Sequence, residues 1–222
     1  LRSFAVVFAV ALIAGCTAQG RFEAEYLEPV AAPYLAEAKI VVLMHDHDQQ
    51  YTFSGKPTSQ IGQNIKLTMP IGSILREVSA GVFRSYFMYG TVFTDELSPN
   101  LIYTVAIEPE IRNFSYRYDR DFEGDIFDLR QTEDGVATAP LSVITPSIQF
   151  ELAVRAYDSA GKVLFEKTYE SGVVQGESYM VTSRPHERVN ATFHQALEQL
   201  MLKVADDVRP FLDDVTIYPA TP

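Results

Sequence analysis

Between Gln149 and Tyr169 the chain has little choice of structure. Phe150, Leu152, Val154 and Ala156 alternate with polar positions that include Glu151 and Arg155, a period of two that gives an extended strand one apolar and one polar face. Asp158-Ser159-Ala160-Gly161-Lys162 then supplies turn residues, and Val163 to Tyr169 returns, so the segment reads as a β-hairpin. A hairpin alone is marginal in water; it needs more strands or a helix against its apolar face.

The remaining periodicity supplies both. Ala38 to Met44 is a continuous aliphatic run suited to a central strand buried on both faces. Tyr51-Thr52-Phe53 and Ile65 to Met69 read as short strands, and Phe87 to Thr94 as another. Leu101 to Tyr118 is the longest extended stretch: Tyr103, Val105, Ile107, Pro109 and Ile111 alternate, then the phase slips to Phe114, Tyr116 and Tyr118, which predicts a bulge. Pro109 places its segment at an edge or a bulge. Helical spacing of Ile71, Ile74, Leu75, Val78, Val82, Phe83 and Tyr86 predicts one amphipathic helix, capped by Gly72 or Ser73. A second is predicted over Val189, Phe193, Leu197, Leu200, Val204 and Val208, ended by Pro210. Asp119 to Gly135 reads as an acidic loop, Pro140 to Pro146 as a connection and Gly172 to Glu187 as a polar loop. The expected fold is α/β (α+β): a two-layer sandwich whose sheet is mixed or mostly antiparallel, with two amphipathic helices on one face.

The amino-terminal end carries a different signal. Arg2 precedes an apolar run from Phe4 to Ala14 that is too short to cross a bilayer, and small residues close it. The single cysteine, Cys16, follows Ile13-Ala14-Gly15. This resembles the lipobox of bacterial lipoproteins, with an aliphatic residue three before the cysteine and small residues at the next two positions. The resemblance implies cleavage before Cys16, lipid on its thiol and usually on the new amino terminus. One acyl chain holds a protein only marginally, so several are needed. Lipidation would also remove the anomaly of a lone thiol in an exported protein. Thr17, rather than Asp, follows the cysteine, which within that family implies the periplasmic face of the outer membrane.

The expected organisation is a signal peptide over 1–15, the lipidated cysteine and a flexible tether over 16–37, one α/β domain over 38–212 and a loose tail over 213–222. The formal charge is -11, from 18 basic and 29 acidic residues. Loss of the leader removes Arg2 and no acid, so the mature chain is more acidic still. Such a surface argues against nucleic acid and against an electrostatic grip on anionic lipid, so lipid has to do the anchoring.

Few residues suggest chemistry. His45-Asp46-His47-Asp48 follows a buried strand, where α/β proteins place sites, and His45 and His47 are candidate metal ligands. On an extended chain both histidines share one face, so two ligands at most converge, and a solvated polar loop is the plainer reading. Asp119, Asp121 and Glu123, with Gly124 at the sixth position, partly resemble a calcium loop, but the closing Glu is replaced by Arg130. His194 reads as a surface histidine beside Phe193, and Glu108 and Glu110 flank Pro109 without an assigned partner. There is no nucleophile elbow, phosphate loop or dinucleotide fingerprint.

The lipobox at Ile13 to Cys16, the strand-to-helix passage at Ile65 to Gly72 and the late hairpin before the helix from Val189 together resemble small envelope lipoproteins. These are the YajG-like lipoproteins and the α/β domains of TolB-N, PelC and CsgG type. The resemblance implies a non-enzymatic accessory subunit of envelope assembly, export or secretion machinery. It would have a protein partner, no cofactor beyond the lipid on Cys16, and scope for homo-oligomers. A metal- or small-ligand-binding lipoprotein using His45 to Asp48 is the alternative, and an envelope hydrolase the second.

Overall fold

The computed structural model describes residues 17–19, 32–64, 66–98, 100–132, 135–180, 185–212 and 215–219. In chain order the early strands are β1 (Thr17–Gln19), β2 (Tyr34–Ala36), β3 (Ile40–Leu43), β4 (Phe53–Gly55), β5 (Lys66–Met69) and β6 (Thr91–Thr94). Then come β7 (Val105–Thr132), β8 (Gly135–Asp158), β9 (Val163–Glu170), β10 (Val174–Gln175), β11 (Tyr179–Met180) and β12 (Ile217–Pro219). The helices are α1 (Asp46–Gln49), α2 (Ile71–Tyr86) and α3 (Pro185–Val208).

All of β3 is buried, as its unbroken aliphatic sequence requires, because it lies between two parallel neighbours, β6 and β7. Beyond β7 the pairing turns antiparallel: β8 follows, and β9, β10 and β11 pair successive stretches of its far edge. The sheet is therefore mixed. Helices α2 and α3 cover one face of it, and their apolar stripes meet β3, β7 and β8 in a single core. Phe193 of α3 anchors that core edge-on to Phe114 of β7, at 5.3 Å between ring centres, and to Phe150 of β8, at 4.9 Å. This is the two-layer α+β sandwich expected from the sequence. Among the described residues no helix is long and apolar enough to cross a membrane.

The phase slip after Ile111 is a bulge. The β7–β8 register shifts between Arg112 and Ser115, and Asn113 takes a φ of 54°, a left-handed conformation that asparagine tolerates better than most residues. Pro109 lies past Ile107, where the β3 ladder stops, so its missing amide interrupts no pairing on that side. The turn after Tyr157 is held by Asp158, whose carboxylate accepts bonds from the amides of Ala160 (2.9 Å) and Lys162 (2.8 Å), while Gly161 takes a φ of 78°.

Several expectations are corrected. Asp119 to Thr132 and Pro140 to Pro146 are the outer halves of β7 and β8, paired with each other, rather than a loop and a connection. These stretches lack a sustained apolar alternation, so their sequence gave no strand signal. The cap of α2 is Pro70, with no side-chain bond; Gly72 sits inside the first turn and donates its amide to the Tyr51 carbonyl at 2.9 Å. Helix α3 begins at Pro185, earlier than its apolar stripe. His194 is buried, 1% exposed, because α3 is covered on more than one side. At the two ends, β1 pairs with β5 and β12 with β2, so neither the first residues after Cys16 nor Ile217–Pro219 are loose.

Candidate functional site

The face of the sheet opposite the helices carries the most organised polar group among the described residues. Its position follows from strand alternation. Val105, Ile107 and Ile111 of β7 point to the helices, so Ala106, Glu108, Glu110 and Arg112 point the other way. Register does the rest: Glu108 lies opposite Arg155 of β8, and Arg155 lies opposite Glu166 of β9. A Glu–Arg–Glu ladder thus crosses three strands, the arrangement in which opposite charges directly across a sheet are mutually favourable.

Arg155 donates through Nη2 and Nε to the two carboxylate oxygens of Glu166, at 3.2 Å and 3.4 Å, and through Nη1 to Glu108 Oε2 and the Tyr157 hydroxyl, each at 3.4 Å. Tyr157 donates its hydroxyl to Glu108 in a short hydrogen bond. Burial and that carboxylate raise the Tyr157 hydroxyl above its ordinary range, and the bonds to Tyr157 and Glu166 hold the Arg155 guanidinium further up. Beside the ladder Arg112 pairs with Glu110 and holds that carboxyl below the usual range. The ladder borders a depression of about 90 Å3. That is well short of the several hundred Å3 of a typical small-molecule pocket.

His45 completes the group from the other side. Its Nδ1 lies 3.0 Å from the Asp95 carbonyl, so it donates there, and its Nε2 lies 3.3 Å from Glu108 Oε1. One side chain therefore ties the start of α1 to the segment after β6 and to β7. His47 stacks on His45, 5.7 Å away and within 7° of parallel, and its Nε2 lies 3.3 Å from Asp48. Burial raises the Asp48 carboxyl; the neighbouring His47 opposes that shift. So the two histidines are adjacent through a short helix rather than an extended chain. Among the described residues no group of three His, Cys, Asp or Glu gathers in a metal-holding arrangement.

The calcium expectation meets a different backbone. Asp119 and Asp121 lie on an extended strand opposite Thr145 and Val143, which does not curl around an ion, and the register shifts only after Phe122. The Asp119 carboxylate accepts from Arg117 at 3.1 Å and Ser147 at 3.2 Å. The side chains of Asp121 and Glu123 lie outside the described residues, as does Cys16.

Glu108 accepts from Tyr157 and Arg155 and faces His45. These contacts hold its carboxylate in one place on the surface. What the cluster offers is a rigid, charged, nearly flat patch. A larger open groove, about 470 Å3, runs along α3 and is lined by Val174, Gln195, Ala196, Gln199, Leu200 and Lys203, among others. The sequence identified Arg155 as outward and Glu108 as unpartnered, and Glu166 sat unremarked in the returning strand; only the register brings the three together. Replacing Arg155 by methionine is expected to lower stability by about 1 kcal/mol, the scale of an exposed pair within a network, read from the urea midpoint.

No protein-family model and no curated protein matches the chain. Among solved structures it is similar to protein XCC0632 of Xanthomonas campestris, of the DUF330 family model, at 13% identity and a TM-score of 0.40, over 84% of this chain and 91% of that one. It is also similar to a Helicobacter pylori protein described as a homolog of a neuraminyllactose-binding hemagglutinin. There the identity is 8% and the TM-score 0.38, over 85% of this chain and 96% of the other. Likenesses this distant carry nothing about function.

Proposed function

We propose that the chain is a lipid-anchored, non-enzymatic binding or assembly module of the periplasmic side of the outer membrane, whose helix-free sheet face docks a protein of the envelope. The observation that supports this is the Glu108–Arg155–Glu166 ladder: fixed charges on the sheet face that α2 and α3 leave uncovered. A preorganised flat surface suits a protein better than a small molecule, because little ordering remains to be done on binding. Ile102, 83% exposed in the segment leading into β7, supplies apolar contact near that face. The membrane part of the reading rests on Ile13 to Cys16.

The test is crosslinking in the native envelope, comparing the natural protein with Cys16→Ala and with Arg155→Glu. One defined partner should be recovered with the natural protein, be lost from the membrane fraction with Cys16→Ala, and fall at least about tenfold with Arg155→Glu, the scale of a lost buried charge pair at an interface. Equal recovery with Arg155→Glu would remove the sheet face from the proposal. A mature protein without lipid on Cys16 would remove the anchor.

A further inference from the structure

Charge is unevenly spread along this acidic chain. From Gln49 to Arg76 there is no Asp or Glu, although the whole sequence holds 29, and the cations in that stretch are Lys56, Lys66 and Arg76. The stretch includes β4, the segment 56–64 and β5. It is also where β1 docks: β1 pairs in parallel with β5, Thr17 opposite Lys66 and Gln19 opposite Thr68.

The residue before Thr17 is Cys16. A flexible tether of about 20 residues would let the domain stand off by roughly 25 Å. With β1 held against β5, Thr17, the residue bonded to Cys16, lies one strand spacing, about 4.8 Å, from Lys66. That is inside one Debye length, so a charge on Lys66 is close enough to feel a headgroup layer at the anchor.

The surface at this place is built to match. Leu67 and Met69 of β5 are buried, which turns Lys66 outward, and Lys56, Ser54, Thr58, Gln60, Gln63 and Asn64 are exposed. The segment is fixed to the sheet: the Thr58 amide donates to the Tyr116 carbonyl at 2.8 Å, and the Tyr118 amide to Ser59 Oγ at 2.9 Å. From these we infer that the β1–β5–β4 sheet and the segment 56–64 form the membrane-apposed face, with Lys56 and Lys66 set against the phosphates of anionic phospholipid. This rests on lipid at Cys16. It fixes the orientation of the domain and lets an acidic protein lie close to an acidic surface through a stretch, Gln49 to Arg76, that carries no acid.

The experiment uses the full acylated protein on vesicles containing phosphatidylglycerol, on phosphatidylcholine vesicles and in detergent. Each sample is treated with a membrane-impermeant amine reagent and read lysine by lysine by mass spectrometry, with exposed Lys162 and Lys203 as internal references. Labelling of Lys56 and Lys66 should fall by at least about threefold on the phosphatidylglycerol vesicles, with Lys162 and Lys203 unchanged, given the attraction of each cation to an anionic surface. If acylation is intact and all four lysines label alike, the inference fails and the anchor stands. Equal protection on phosphatidylcholine also overturns it, because charge would then play no part. If the protein carries no lipid on Cys16, anchor and inference fall together.

Discussion

Replacing Gly72 by alanine is expected to destabilise the protein by about 3 kcal/mol, the upper end of what overpacking costs. A Cβ there would lie 2.0 Å from the carbonyl oxygen of Asp48 and 2.5 Å from that of Gln49. Both are backbone atoms at the end of α1, so no side chain can swing aside to relieve the contact. Helix propensity argues the opposite sign, since alanine is favoured over glycine by about 1 kcal/mol inside a helix. The measurement therefore separates two physical accounts by direction as well as size. A urea midpoint raised or unchanged would mean that α1 does not rest on α2 as described. The substitution should also reach the sheet face: α1 is preceded by His45, so displacing it pulls that imidazole from Glu108 and from the Asp95 carbonyl.

That link between a glycine and a histidine was invisible in the sequence. The apolar periodicities were read correctly because they record burial directly: Ile71 to Tyr86 is α2, Ile40 to Leu43 is the buried strand, and the slip after Ile111 is the bulge. Polar segments record nothing of the kind. Among the described residues the outer halves of β7 and β8 pair with each other, with β11 added only at Val143 and Ile144, so backbone hydrogen bonds hold them and composition does not betray them. The same holds for the ladder. Glu108, Arg155 and Glu166 stand far apart in sequence and each is an ordinary outward residue of its strand; register makes them neighbours. For α3 the error ran the other way. A single stripe through Val189, Phe193 and Leu197 explains one face, but Asn190 and Thr192 are buried beside it, and so is His194.

His194 gives the second large expectation, a loss of stability on mild acidification. Burial lowers its pKa from 6.5 to about 4, so the folded chain keeps the ring neutral while the unfolded chain is free to take up a proton. Above about pH 6.5 the ring is neutral in both states and contributes no pH dependence. As the pH falls from there towards 4 the unfolded state binds more protons, so stability declines, by up to about 3 kcal/mol for a shift of this size. The lowered carboxyls of Glu110 and Asp207 contribute in the same direction, but only below the ordinary carboxylate range. The interval between about pH 6.5 and 4.5 therefore weights the buried histidine. His194→Gln keeps a neutral polar group of similar length at the position and cannot take up the proton. Urea titrations across that interval should show the natural protein losing about 2–3 kcal/mol more than the variant, whatever the variant's stability at neutral pH. Parallel declines in the two proteins would mean that His194 is protonated in the folded state, and that α3 opens to water on that side.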